Sequence, residues 1–140
     1  MPSPTAPQPR VGIDLVRISR IEESLQRFGD RFVRRLFHED EILYAMAAPA
    51  ARRAEYLAAR FAAKEATIKA LRVAHHGISW RDIEVRRSTD GDCALVLHGA
   101  AEKAAHEAGL SVASLSLTHE GDYAAAVVLA QPLESHSHQS

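Results

Sequence analysis

Residues 51–72, ARRAEYLAARFAAKEATIKALR, form the longest helical pattern in the chain, and the period changes after them. Advancing 100° per residue from Leu57 brings Phe61, Ile68 and Leu71 within about 40° of it, an apolar stripe that needs a partner layer. Downstream, residues 82–87 and 93–98 alternate around Thr89-Asp90-Gly91-Asp92, a hairpin signal. Residues 111–118 and 123–129 flank a second turn, His119-Glu120-Gly121-Asp122. Strands that return through tight turns are antiparallel. Upstream, VGIDLV at 11–16 reads as a first strand. Ser19 followed by Glu22 resembles a capping box, opening a helix with Ile18, Ile21, Leu25 and Phe28 on one face up to Gly29. Shorter helices are expected around 30–36 and 39–47, and another over 99–109. The expected fold is α+β, with an antiparallel sheet packed against the long helix. It forms one domain over residues 11–130, between disordered tails at 1–10 and 131–140.

The chain has 140 residues, 46% hydrophobic, with 17 Lys plus Arg against 18 Asp plus Glu. These fractions are those of a soluble globular domain. No run approaches the roughly 18 apolar residues of a membrane helix, and MPSPTAPQPR lacks an apolar secretion signal, so a cytoplasmic protein without membrane association is expected. The lone Cys93 excludes an internal disulfide and a thiolate zinc site, and at a strand start it reads as a small packed residue. Trp80 reads as a core or interface anchor, and His136 and His138 as tail residues able to bind metal only opportunistically. The 25 alanines imply thin helices that cover little area each, which favours a subunit interface. The net charge of −1 conceals six arginines against three acids over 17–35, and six Lys or Arg against two acids over 52–72. Such clusters suit an anionic ligand or partner, or form salt-laced solvated faces.

Lys64 lies in the middle of the apolar stripe, where an ammonium must be paired with an anion, reach an opening or lose its proton. Glu65 and Lys69, one turn apart on its flank, also fit an ordinary surface pair. Asp14 interrupts an apolar strand on the face opposite Ile13 and Leu15, where desolvation disfavours it unless it caps a turn. A strand carboxylate meeting a helix carboxylate supplies two oxygen ligands, typical of magnesium, which takes further ligands from substrate phosphates. Asp14, Glu65, Lys64 and Lys69 together fit a phosphate-transfer site.

GIDLV at 12–16, RFAAKEATIKAL at 60–71, WRDIEV at 80–85, and SLSLTHE with YAAAVV at 114–128 resemble, in order, the holo-acyl-carrier-protein synthase branch of the 4'-phosphopantetheinyl transferases. The resemblance implies transfer of the phosphopantetheine arm of coenzyme A to a serine of an apo acyl carrier protein, releasing adenosine 3',5'-bisphosphate. It implies a magnesium site at Asp14 and Glu65, with Glu65 also placed to accept the serine proton and Lys69 on the leaving-group side. Arg60, Lys64, Thr118 and His119 match coenzyme A-binding positions, although His119 also fits a satisfied core histidine. Arg17, Arg20 and Arg27, on the side of the first helix opposite Ile18 and Leu25, are implied to hold the acidic carrier protein. A homotrimer with sites at subunit boundaries is implied as well.

Two stretches depart from the family pattern. ALRVAHHG at 70–77 replaces a glycine-rich Ala-Leu-Gly-Thr-Gly segment, so His75 and His76 either lie away from the nucleotide or contact its phosphates. Gly91-Asp92-Cys93 replaces a Gly-Lys-Pro turn, removing a lysine contact. These changes leave open a fatty-acid or a specialised polyketide-type carrier, and magnesium or manganese as the metal. The competing reading is a non-enzymatic module whose arginine helix docks an acidic protein or nucleic acid, with the carboxylate pair merely structural.

Overall fold

A single helix of 22 residues, α4 (Ala50–Leu71), runs through the molecule and is buried on nearly every side. In this computed structural model, which describes residues 8–73 and 77–133, the other elements pack around it. In chain order they are β1 (Arg10–Arg17), α1 (Ile18–Phe28), α2 (Asp30–Leu36), α3 (Glu39–Ala47), then α4, a 3-10 turn (Trp80–Asp82), β2 (Ile83–Arg87), β3 (Cys93–Leu97), α5 (Gly99–Glu107), β4 (Leu110–Glu120) and β5 (Tyr123–Pro132). One antiparallel sheet has the order β1-β5-β4, and β2 with β3 forms a separate hairpin. This is the expected α+β arrangement. His75, His76, His136 and His138 lie outside the described residues. Among the described residues no helix is long and apolar enough to cross a membrane.

The stripe reading of α4 is too narrow. Ala58, Ala59, Ala62, Ala63, Ala66 and Ala70 are buried on the remaining faces, so the sheet and α1 can approach the helix closely. Large side chains fill the gaps that remain: Phe37, Leu57, Leu71, Ile83 and Val128 are fully buried, each contributing about 1.5–3 kcal/mol. Trp80 is half-buried against Phe61, with 5.4 Å between ring centroids.

The ends of several elements differ from expectation. Ser19 and Glu22 do not form a capping box at the start of α1, because Asp122 from the β4–β5 turn does the capping: Ile18 N donates to its carbonyl at 2.7 Å and Ser19 N to its Oδ1 at 2.9 Å. Ser19 Oγ donates to Asp122 Oδ2 at 2.6 Å. A capping box exists instead at α3, where Asp40 N donates to His38 Nδ1 at 3.2 Å and His38 N to Glu41 Oε1 at 2.8 Å. Arg17 ends β1 rather than lying within α1. The ordered sheet extends beyond both domain bounds: Arg10 pairs with Ala130, and Pro132 with Leu110. Arg72, where the family pattern has glycine, closes α4 in a left-handed conformation at φ 56°.

Lys64 has no exposed surface. Its Nζ donates to Glu41 Oε1 at 2.7 Å, to Trp80 O at 3.0 Å and to Ile83 O. Glu41, 1% exposed, also accepts from Val85 N through Oε2 at 2.8 Å. Burial pulls the Lys64 ammonium below its ordinary value, and the charge and hydrogen bond of Glu41 oppose that pull. Replacing Lys64 by Met leaves Glu41 buried without a cation; a loss of about 3–5 kcal/mol is expected, read from the urea midpoint of unfolding.

Candidate active site

Asp14 is placed by a backbone contact two residues before it. A Cβ on Gly12 would lie 1.9 Å from Ala66 O and 2.8 Å from Ala70 N, so β1 lies directly on α4. Alternation then turns Asp14 toward the helix and leaves Ile13 and Leu15 outward. Asp14 stands mid-strand, opposite Ala126 of β5, rather than capping a turn. Lys69 reaches back from α4, donating to Asp14 Oδ1 at 2.9 Å and to Ile13 O at 3.0 Å. Its hydrogen bond with Asp14 holds the ammonium above the ordinary lysine value; slight burial opposes this, while the charges of Asp14 and Glu65 add to it.

Glu65, half-buried, joins Asp14 in lining a cleft of about 900 Å3 together with Phe61, Arg17, Arg20 and Tyr123. Arg17 lies over the Tyr123 ring at 5.8 Å. The two carboxylates therefore share a basic, open cleft with two of the three arginines singled out in the sequence. Arg27 is exposed outside that lining, with its guanidinium over Phe28 at 5.4 Å. A neighbouring groove, also about 900 Å3, holds Arg31, Arg34 and Arg35 and shares Phe32 and Leu36 with the cleft. These three arginines were legible as charge in the 17–35 cluster but not as a surface, because α2 had no visible face.

The residues matched to coenzyme A do not gather at this cleft. Lys64 is a correction: an ammonium with no exposed surface, engaged by Glu41 and two carbonyls, has no donor left for a phosphate. Arg60 is 3% exposed; its NH1 donates to Tyr56 O at 3.2 Å and its guanidinium lies 4.7 Å from the Tyr44 ring. It lines a different, smaller cavity with Arg86 and Arg87. Thr118 and His119 point to opposite faces of β4. Thr118 belongs to the outer row, in register with Ala125 and through it Leu15. His119 is no core histidine: its side chain is 48% exposed, with Nε2 3.4 Å from Glu55 Oε1.

A profile of the 4'-phosphopantetheinyl transferase superfamily matches residues 10–128. The chain belongs to that superfamily. The holo-[acyl-carrier-protein] synthase of Herpetosiphon aurantiacus is 45% identical over 125 residues, covering 84% of this chain and 94% of the relative. Among solved transferases of this kind, the ACPS–CoA complex of Chronobacterium ammoniagenes superposes with a TM-score of 0.79 at 33% identity, covering 91% of this chain and all (100%) of that one. The holo-[acyl-carrier-protein] synthase of Neisseria meningitidis superposes with a TM-score of 0.78 at 35% identity, covering 87% and 97%. In this transferase chain the position of Asp14 depends on the missing side chain at Gly12. Gly12→Ala is expected to cost about 3 kcal/mol and to abolish transferase activity through displacement of β1, measured by thermal unfolding alongside turnover.

Proposed function

We propose that this protein is a holo-[acyl-carrier-protein] synthase, transferring the 4'-phosphopantetheine group of coenzyme A to a serine of an apo acyl carrier protein and releasing adenosine 3',5'-bisphosphate. The observation that carries the reading is the cleft that Asp14 and Glu65 line with Arg17 and Arg20, where Asp14 also holds the ammonium of Lys69. Asp14 and Glu65 offer only carboxylate oxygens, the donor chemistry of magnesium. Asp14 and Glu65 would hold the ion, which would supply charge neutralisation for the diphosphate of coenzyme A. Lys69 already supplies one cation to Asp14 and stays protonated across neutral pH.

The chain's own residues divide the remaining work. Glu65 accepts the proton of the incoming serine hydroxyl. The serine oxygen bonds to the phosphorus that carries pantetheine as the bond to the adenosine 3',5'-bisphosphate oxygen breaks. Lys69 faces the charge that develops on the leaving group. Arg17, Arg20 and Arg27, with the groove arginines Arg31, Arg34 and Arg35, form the cationic approach for an acidic carrier protein. Arg60, Thr118 and His119 remain as coenzyme A contacts of this scheme, reached across a subunit boundary. The scheme places the enzyme in the cytoplasm, where both substrates are met.

The proposed assembly is a homotrimer. Its support is the outer face of the β1-β5-β4 sheet, where Val11, Ile13 and Leu15 are 64%, 61% and 63% exposed. They stand in register with Leu129, Val127 and Ala125, continuing the apolar surface onto the central strand. A bare apolar sheet face of this kind marks an association surface.

Mass spectrometry of apo carrier protein incubated with coenzyme A and magnesium tests the activity; no gain of a phosphopantetheine mass across a panel of carrier proteins would refute it. Glu65→Gln is expected to lower turnover by about 100-fold or more. Arg20→Glu is expected to raise the KM for carrier protein about 10-fold at unchanged coenzyme A KM, and an equal rise in both would overturn the division of labour. Ile13→Asp is expected to shift the mass in light scattering from trimer to monomer with the helical circular dichroism retained.

A further inference from the structure

His38, Glu84 and His98 converge from three segments distant in sequence: the cap of α3, the second residue of β2 and the residue before α5. One donor atom from each lies within 4.8 Å of the others. His98 Nε2 is 2.8 Å from Glu84 Oε1, and His38 Nδ1 is 3.8 Å from Oε2. The two imidazoles are stacked, with 5.2 Å between centroids and 14° between planes. Glu84 is fully buried, whereas the histidine side chains are 30% and 37% exposed, which leaves an approach from solvent. A carboxylate with no exposed side-chain surface needs a cation or hydrogen-bond donors beside it. Arg86 now fills that need, with NH2 3.0 Å from Oε1 and Nε 3.3 Å from Oε2, yet its side chain is 55% exposed and free to swing into water.

We infer that His38, Glu84 and His98 form a binding site for a divalent transition-metal ion of the zinc class, which replaces Arg86 as the cation on Glu84. Two imidazole nitrogens and one carboxylate oxygen are a ligand set that zinc takes in three-ligand sites, with water in the fourth position. Imidazole donors favour zinc, nickel or copper over magnesium, so this site is chemically distinct from the oxygen-only pair at Asp14 and Glu65. Bond lengths of about 2.0–2.2 Å place tetrahedral donors about 3.4 Å apart. The present donors, all within 4.8 Å of one another, would have to close by rotation of the two part-exposed rings. His38 Nδ1 accepts from Asp40 N at 3.2 Å, so this nitrogen is unprotonated, and binding a metal transfers its single lone pair from that amide to the ion. Asp40 Oδ2, 3.9 Å from the same nitrogen, adds negative charge at the opening. Bound metal ties the start of α3, β2 and the start of α5 to one point.

Isothermal titration of the full chain with zinc, in millimolar magnesium, tests this. One saturable site is expected in the unaltered protein, weakened about 100-fold by His98→Gln and by His38→Asn, the latter keeping a capping side chain. Arg86→Gln, which removes the competing cation, is expected to tighten zinc about 10-fold, and Asp14→Asn to leave it unchanged. The tail and loop histidines remain in every variant, so zinc affinity unaltered by His98→Gln and His38→Asn overturns the site, as does the absence of saturable binding or its loss in Asp14→Asn. A weaker rather than tighter site in Arg86→Gln overturns the exchange with Arg86. The readout is metal binding alone, independent of transferase activity.

Discussion

The buried contact between Lys64 and Glu41 fixes how the long helix is rotated. An ion pair removed from water is costly, and it persists because nearly every valence is used: three acceptors around the ammonium, and three backbone or side-chain donors around the carboxylate. Those partners belong to α3, to the 3-10 turn and to β2, so α4 is held in phase against three separate elements. Each residue advances about 100° around a helix. With Lys64 pinned inward, Glu65 faces the cleft and Lys69 reaches β1. The charge in the apolar stripe thus acts on the site by orientation, without touching it.

The opposite wall depends on small side chains. α4 carries alanines where a surface helix would carry bulk, and β1 answers with Gly12, leaving no room for a Cβ between strand and helix. Close approach brings Asp14 within reach of Lys69, whose ammonium balances a carboxylate only 14% exposed. In the proposed scheme a divalent ion at Asp14 would compete with a resident lysine, and the same pairing of carboxylate with a protein cation recurs at Glu84 and Arg86. In both places a protein cation balances a carboxylate that is largely withdrawn from water.

Much of this was legible in the sequence. The change of period after residue 72 gave the α+β class, and Asp14 and Lys64 stood out as charges in apolar patterns. The partner of Lys64 was not legible, because Glu41 sits among Glu39 and Asp40 in the first turn of α3, where acids are favoured for helix-dipole reasons alone. The signal that could have found it was the demand for an anion that a stripe lysine makes. Resemblance to a coenzyme A-binding position hid that demand by offering a ligand instead. The cap of α1 was missed because Asp122 lies 103 residues from Ser19, a separation that local capping rules do not span. His38, Glu84 and His98 were missed for the same reason: each looks ordinary in its own segment.

The scatter of Arg60, Thr118 and His119 has a physical counterpart in the bare sheet. The central helix is largely spent on core packing. Thr118 lies on the outer sheet surface in the row that continues through Ala125 to Leu15, and Leu15 also lines the cleft. That row connects the apolar face to the cleft that the carboxylates line. In the proposed homotrimer, a second copy seated on the sheet would cover exposed valine, isoleucine and leucine and, in the same contact, add a wall beside Asp14. Association and completion of the substrate site would then be a single event, with hydrophobic burial supplying the free energy for both.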